Sequence, residues 1–181
     1  MIVPLFGGAL DVELPDDVID VSDFRQVPDN QEVFLVERGS GPKEDKSIII
    51  ELLESPEGSI DQVLKMHLSD LLDIDISQIN DVEYIKTSNS LGEDNYISIY
   101  KDSEKNLMVI FSLVRVSKVQ TDILLSFFLS IDTPNYQHLK DLDSKNISQN
   151  YASLGMEPDV RLVHTATEKI HIKNWLIFSS E

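Results

Sequence analysis

NLMVIFSLVRVSKVQTDILLSFFLSID, residues 106–132, is the stretch on which the fold turns. Asn106 to Lys118 and Thr121 to Asp132 are rich in the β-branched and aromatic side chains that favour strands. In the second run Ile123, Leu125, Phe127, Leu129 and Ile131 fall on one side of a pleated chain. On the other side Leu124 and Phe128 alternate with Ser126 and Ser130. A strand with apolar groups on both sides is covered on both, so it lies within a sheet and not at its rim. The short Val119-Gln120 connection predicts an antiparallel hairpin.

Working outward, Tyr96 to Lys101 reads as a strand before the hairpin. Earlier still, Ser47 to Glu54 (SIIIELLE) is isoleucine-rich and ends at Pro56 and Gly58. Ser59 then suits a helix N-cap with Asp61 in the first turn. Ile60, Val63, Leu64, Leu68, Leu71 and Leu72 recur at helical spacing and predict an amphipathic helix over 59–72. Gln31 to Glu37 alternates as a strand, and Gly8 to Leu14 alternates weakly. Val27-Pro28-Asp29-Asn30 predicts a tight turn, because proline fixes φ while Asp and Asn tolerate unusual backbone angles. Gly39, Gly41 and Pro42 make Arg38 to Lys46 a mobile loop by composition. Toward the C-terminus, Pro134 to Gly155 is polar and reads mostly as loop, with room for a short helix. Pro158 opens a second helix to about Ile170, its buried stripe formed by Val160, Val163, Ala166 and Ile170. The order predicts one α+β domain over residues 1–181, with a mainly antiparallel sheet and helices packed upon it.

The chain has 181 residues, 41% apolar and 26% charged, within the range of one globular domain. The apolar run Leu107 to Phe111 is far shorter than the roughly 20 residues that span a bilayer, so no membrane segment is expected. Pro4 and Gly7-Gly8 interrupt the apolar start MIVPLFGGAL, which does not read as a secretory signal. With no cysteine the fold owes nothing to disulfides, which fits a reducing compartment. Net charge is −17, and fifteen acids against four bases between Asp11 and Asp61 give that segment −11. Such a surface repels nucleic acid and anionic lipid, stays soluble, and draws basic proteins. Nothing in the sequence demands more than a monomer.

Catalytic patterns are missing. There is no GxxxxGK[ST] loop and no GxSxG elbow, and Gly39-Ser40-Gly41 reads as loop flexibility. His67 reads as a satisfied residue at the boundary of the first helix, and His138 lies in the polar loop. His164, Glu168 and His171, spaced i, i+4, i+7, form the one zinc-like set, and a metal-dependent hydrolase is the enzymatic alternative. A solvated helix flank accounts for the same spacing, and no fourth ligand lies nearby in sequence. Carboxylate pairs such as Asp16-Asp17 and Glu44-Asp45 carry no information in so acidic a chain. The expectation is a binding protein, not an enzyme, with no catalytic residues, no metal site and no cofactor.

One segment is specific. Leu5 to Val36 reads LFGGALDVELPDDVIDVSDFRQVPDNQEVFLV. It resembles the N-terminal signature of the Mog-type Ran guanine nucleotide release factors: L-[FY]-G-G-A, then ID-x-S-x-x-R, then VPD-x-QEV. The matching residues are Leu5, Gly7, Gly8 and Ala9; Ile19, Asp20, Ser22 and Arg25; and Val27, Pro28, Asp29, Gln31, Glu32 and Val33. SIIIELLE with the helix containing His67, and Arg115 with Thr121-Asp122-Ile123, are similar to the family's next elements. The likeness spans about residues 5–133, and Pro134 to Glu157 has no counterpart.

The resemblance implies a sandwich-like domain, its mainly antiparallel sheet covered by helices on both faces. It also implies a protein of nucleus and cytoplasm that binds Ran and promotes release of its nucleotide, GTP in particular. In that family the acidic positions of the VPD-x-QE turn touch Ran; here they are Asp29 and Glu32. Beside them Asp20 and Asp23 would add charge, and Phe24 and Val27 apolar contact. Arg25 is expected to pair with neighbouring acids, and Gly7 and Gly8 to meet backbone requirements. An acidic adaptor for some other basic surface is the alternative.

Overall fold

The 106–132 stretch is the centre of the molecule in the computed structural model, which describes residues 1–36, 46–79, 82–92 and 94–179. In chain order the strands are β1 (Ile2–Leu5), β2 (Leu10–Glu13), β3 (Val18–Asp20), β4 (Gln31–Val36) and β5 (Lys46–Glu54). Helix α1 (Ile60–Leu72) follows, then β6 (Tyr84–Lys86), β7 (Asn95–Asp102), β8 (Leu107–Val116) and β9 (Thr121–Ser130). Helices α2 (Ser144–Asn150) and α3 (Glu157–Glu168) precede β10 (His171–Ile172).

Strands β8 and β9 pair antiparallel in the register that sets Ile110 against Phe127. They lie inside a seven-stranded sheet of order β3-β4-β5-β9-β8-β7-β6, in which every pairing is antiparallel. The two-sided apolar pattern of β9 has the expected cause. On one side Leu124, with Val109, Phe111 and Leu113, packs against Val63, Leu64 and Leu68 of α1. On the other, Phe127 joins Phe34, Ile48 and Ile110 in a larger core closed by Val160, Val163 and Ala166 of α3. A three-stranded sheet, β1-β2-β10, adds Leu10 and Val12 to that second core. The architecture is α+β, with helices on both faces of the main sheet.

The ends of α1 follow from local chemistry. The Ser59 side chain accepts the Gln62 amide while the Gln62 side chain accepts the Ser59 amide, a capping box. Asp73 stops the helix in the left-handed region at φ 51°. Helix α3 ends at Glu168, two residues before the expected limit. Asn89 Nδ2 donates to the carbonyls of Thr167 at 2.6 Å and Ile170 at 3.2 Å, which ties off the C-terminus. Ile172 then pairs with Leu10 as part of β10.

Other departures from the sequence reading are local. The weak strand expected over Gly8 to Leu14 begins only at Leu10, because Phe6–Gly8 forms a 3-10 turn with Gly7 at φ 67° and Gly8 at φ 89°. Those angles explain the glycine pair, since a Cβ there is strained. The short strands β1, β3, β6 and β10 were not expected. The polar stretch 134–155 holds α2, N-capped by Asp143, and a 3-10 turn at Gln137–Leu139. The loop expected over Arg38 to Lys46, including Gly39-Ser40-Gly41 and Glu44-Asp45, lies outside the described residues except for Lys46, which opens β5. No described helix is long and apolar enough to cross a membrane.

Candidate protein-binding edge

The segment from Asp20 to Glu32 forms one rim of the sheet. Gln31 N donates to Pro28 O at 3.0 Å, closing the turn that carries Asp29. That turn docks on the end of β5, with Leu52 N donating to Asn30 O at 3.0 Å. Asp29 is exposed at its tip.

Glu32 and Phe34 share one side of β4, and Asp20 lies opposite Phe34 in the β3–β4 ladder. Asp20 and Glu32 thus come to the same side of the sheet. There Glu32 Oε1 accepts the Phe6 amide at 2.6 Å, a donor presented by the 3-10 turn before Gly7-Gly8. Burial pushes the Glu32 carboxyl above its ordinary range and the Asp20 charge adds to this, while the Phe6 amide works the other way. Asp20 Oδ1 in turn accepts Ser22 N at 2.9 Å and Ser22 Oγ at 2.7 Å, capping the 3-10 turn Val21–Asp23. That turn holds Asp23 on the surface and leaves Phe24 77% exposed. Val27 is half-buried. Arg25 is exposed and makes no ion pair among the described residues, contrary to expectation, so it is not a partner that shapes the acidic rim.

Asp29 also borders a cleft of about 440 Å³ whose lining includes Leu52, Glu54, Gln120, Ile177 and Phe178. Glu54 and the C-terminal 3-10 turn Trp175–Phe178 are the rim residues that sequence reasoning missed. Glu54 is one of 32 acids with nothing to single it out, and the C-terminal turn is placed by tertiary bonds. Lys173 N and Asn174 N both donate to Ala9 O, at 2.8 and 3.1 Å. The Phe6-to-Ala9 segment therefore positions both Glu32 and the C-terminal turn.

A second polar cluster is internal. Asp122, fully buried, accepts Arg115 Nε at 2.8 Å, Arg115 Nη2 at 2.9 Å and Ser55 Oγ at 2.8 Å, and lies 2.8 Å from His67 Nε2. Burial by itself would raise this carboxyl. The bonds from His67, Arg115 and Ser55 outweigh that and hold it below its ordinary range. Arg115 Nη2 also reaches Pro56 O at 3.0 Å, so the cluster joins α1, the 55–56 segment and the β8–β9 hairpin. His67 is satisfied, as expected, but it is 4% exposed and not a boundary residue. Met66 and Leu68 flank it in sequence, and its hydrogen-bond partner Asp122 lies 55 residues away.

The zinc-like set does not share a helix face. His164 Nε2 lies 3.4 Å from Glu168 Oε1 on α3, but His171 sits on β10 opposite Asp11. His164 Nδ1 is already 2.9 Å from Thr87 Oγ1. Among the described residues no three His, Cys, Asp or Glu side chains are grouped to hold a metal ion.

The model of the family described as "Ran-interacting Mog1 protein" matches residues 3–130. The chain is 33% identical over 148 residues to the nuclear import protein mog1 of Schizosaccharomyces pombe, covering 68% of this chain and 74% of the relative. It is 32% identical over 142 residues to the Ran guanine nucleotide release factor of Danio rerio, covering 68% and 75%. Its identity to the human protein of that name is 28% over 173 residues, covering 84% and 86%. The crystal structure of the Saccharomyces cerevisiae Ran-binding protein Mog1p superposes with a TM-score of 0.71 at 19% identity. That superposition covers 99% of this chain and 98% of the other, a match of fold.

Proposed function

The chain belongs to the Ran-interacting Mog1 protein family, and we propose that it binds the small GTPase Ran and promotes release of its guanine nucleotide, GTP in particular. In this reading it works as a monomeric binding protein, not an enzyme, and supports nucleocytoplasmic transport from the nucleus and cytoplasm. The observation that carries the reading is the composition of the rim. Asp20, Asp23, Asp29 and Glu32 lie on one short segment around the exposed Phe24, and none of the four is in an ion pair among the described residues.

A Ras-like GTPase holds GTP through Mg²⁺, a P-loop lysine and ordered switch segments. A partner weakens that hold only by preferring the nucleotide-free or switch-open form, and the coupling is reciprocal: nucleotide weakens the partner by the same factor. Carboxylates on the rim supply such a preference by competing for basic groups near the nucleotide. Asp29 is free to do so directly. Glu32 starts from a hydrogen bond to a neutral amide, so its charge is positioned but not neutralised. Phe24 and Val27, on the same segment as these carboxylates, supply apolar contact, as aromatic anchors do in interfaces.

Capture of Ran loaded with GTP, with GDP or with neither tests this reading. The expected result is strongest capture of nucleotide-free Ran and weakening by added GTP. Equal capture of all three forms would instead describe an acidic adaptor with no release activity.

A further inference from the structure

The cleft beside Asp29 is bounded by the 28–30 turn, the end of β5, the β8–β9 turn and the Trp175–Phe178 turn, and its lining is of two kinds. Asp29 and Glu54 supply carboxylates, and among the described residues neither is in an ion pair and no Lys, Arg or His lines the space. Leu52, Ile177 and Phe178 supply apolar wall. The walls are cross-tied by backbone bonds. Leu52 N donates to Asn30 O and Ser55 N to Gln120 O, each at 3.0 Å, and the C-terminal turn hangs from Ala9 O. Lys118 is a neighbouring base on the β8–β9 turn, and its Nζ lies 4.7 Å from the centre of the Trp175 ring. That contact occupies the ammonium with the indole and leaves the two carboxylates without it.

We infer that this cleft receives one lysine or arginine side chain of Ran, its aliphatic stem along Leu52, Ile177 and Phe178 and its charged head against Asp29 and Glu54. The inference rests on the Ran reading and adds to it Glu54 and the C-terminal turn as specificity determinants. Charge complementarity selects the occupant. Lysine and arginine are the side chains that combine a long apolar stem with a cationic head. An acidic group would be repelled, and a purely apolar group would desolvate two carboxylates with no compensation. Trp175 and Leu176, the latter 74% exposed, continue the contact surface beyond the cleft.

The test is titration calorimetry of the 181-residue chain with nucleotide-free Ran, at low and moderate salt. Glu54 is exposed, so its variants preserve the fold. Glu54→Gln is expected to weaken binding about fivefold and to flatten its salt dependence, and Glu54→Lys about fiftyfold. Glu104→Gln removes the same charge from the β7–β8 turn, at the far end of the hairpin, and is expected to change neither. Equal responses to Glu54→Gln and Glu104→Gln, or none from either Glu54 variant, would overturn the cleft while leaving Ran binding intact. Failure of the unmodified chain to bind Ran removes both readings.

Discussion

Glu32 and Asp29 are three residues apart in sequence but live in different surroundings. Glu32 is half-buried and accepts the Phe6 amide, whereas Asp29 stands in solvent at the tip of a turn. Substitution should separate structural from recognition roles. Glu32→Ala leaves the Phe6 N–H without its acceptor and is expected to cost about 1–3 kcal/mol of stability. Glu32→Gln keeps an acceptor oxygen and is expected to melt near the unmodified protein while still losing affinity for Ran. Asp29→Ala should leave the melting temperature unchanged. Asp122 gives the opposite pattern, because its partners are all internal. Asp122→Asn breaks a buried ion pair and is expected to cost about 3–5 kcal/mol. Its carboxyl is held below the ordinary range, so the folded chain binds that proton less readily than the unfolded one. The stabilisation is therefore complete above the ordinary Asp value of about 3.9 and lost as pH falls through the lower folded value. Denaturant melts across that window should show the unmodified protein losing stability with acid, with this component absent from Asp122→Asn.

The hairpin β8–β9 and helix α1 were legible because they are long and strictly periodic. Ten-residue strands with apolar groups on both sides have one place in a sheet, and Ser59 marks the start of α1 by its side chain. Phe127→Ala, at a fully buried position touching both neighbouring strands, is expected to cost about 3–5 kcal/mol by equilibrium unfolding. The short elements were not legible. β3, β6 and β10 have two or three residues each, and their pairing is decided by chain segments far away. The same cause moved His171 off the helix. Asn89, nearly 80 positions earlier, ties off α3, so a spacing that works on paper has no helix to carry it. On the rim, the turn itself was readable, because Pro28, Asp29 and Asn30 specify it locally and Gln31 N closes it on Pro28 O. Neither the inward bond of Glu32 nor the cleft could be read, since both depend on the Phe6-to-Ala9 turn meeting other parts of the chain.

Across the whole molecule the net charge of −17 acts before any contact forms. Its density in the segment that supplies the rim should steer a basic partner toward that side. The association rate with Ran is expected to fall roughly tenfold or more between about 0.02 M and about 0.5 M salt, as screening shortens from about 20 Å to about 4 Å. Dissociation should change far less. A rate insensitive to salt would mean that the long-range field plays no part in finding the partner. The central claim is narrower, that carboxylates at Asp29 and Glu32 loosen the nucleotide on Ran. Stopped-flow release of fluorescent GTP from Ran tests it most directly, with the unmodified chain compared against the Asp29→Ala, Glu32→Gln double variant. Acceleration by the unmodified chain and release at the intrinsic rate with the folded double variant is the predicted result; equal acceleration by both would contradict the account.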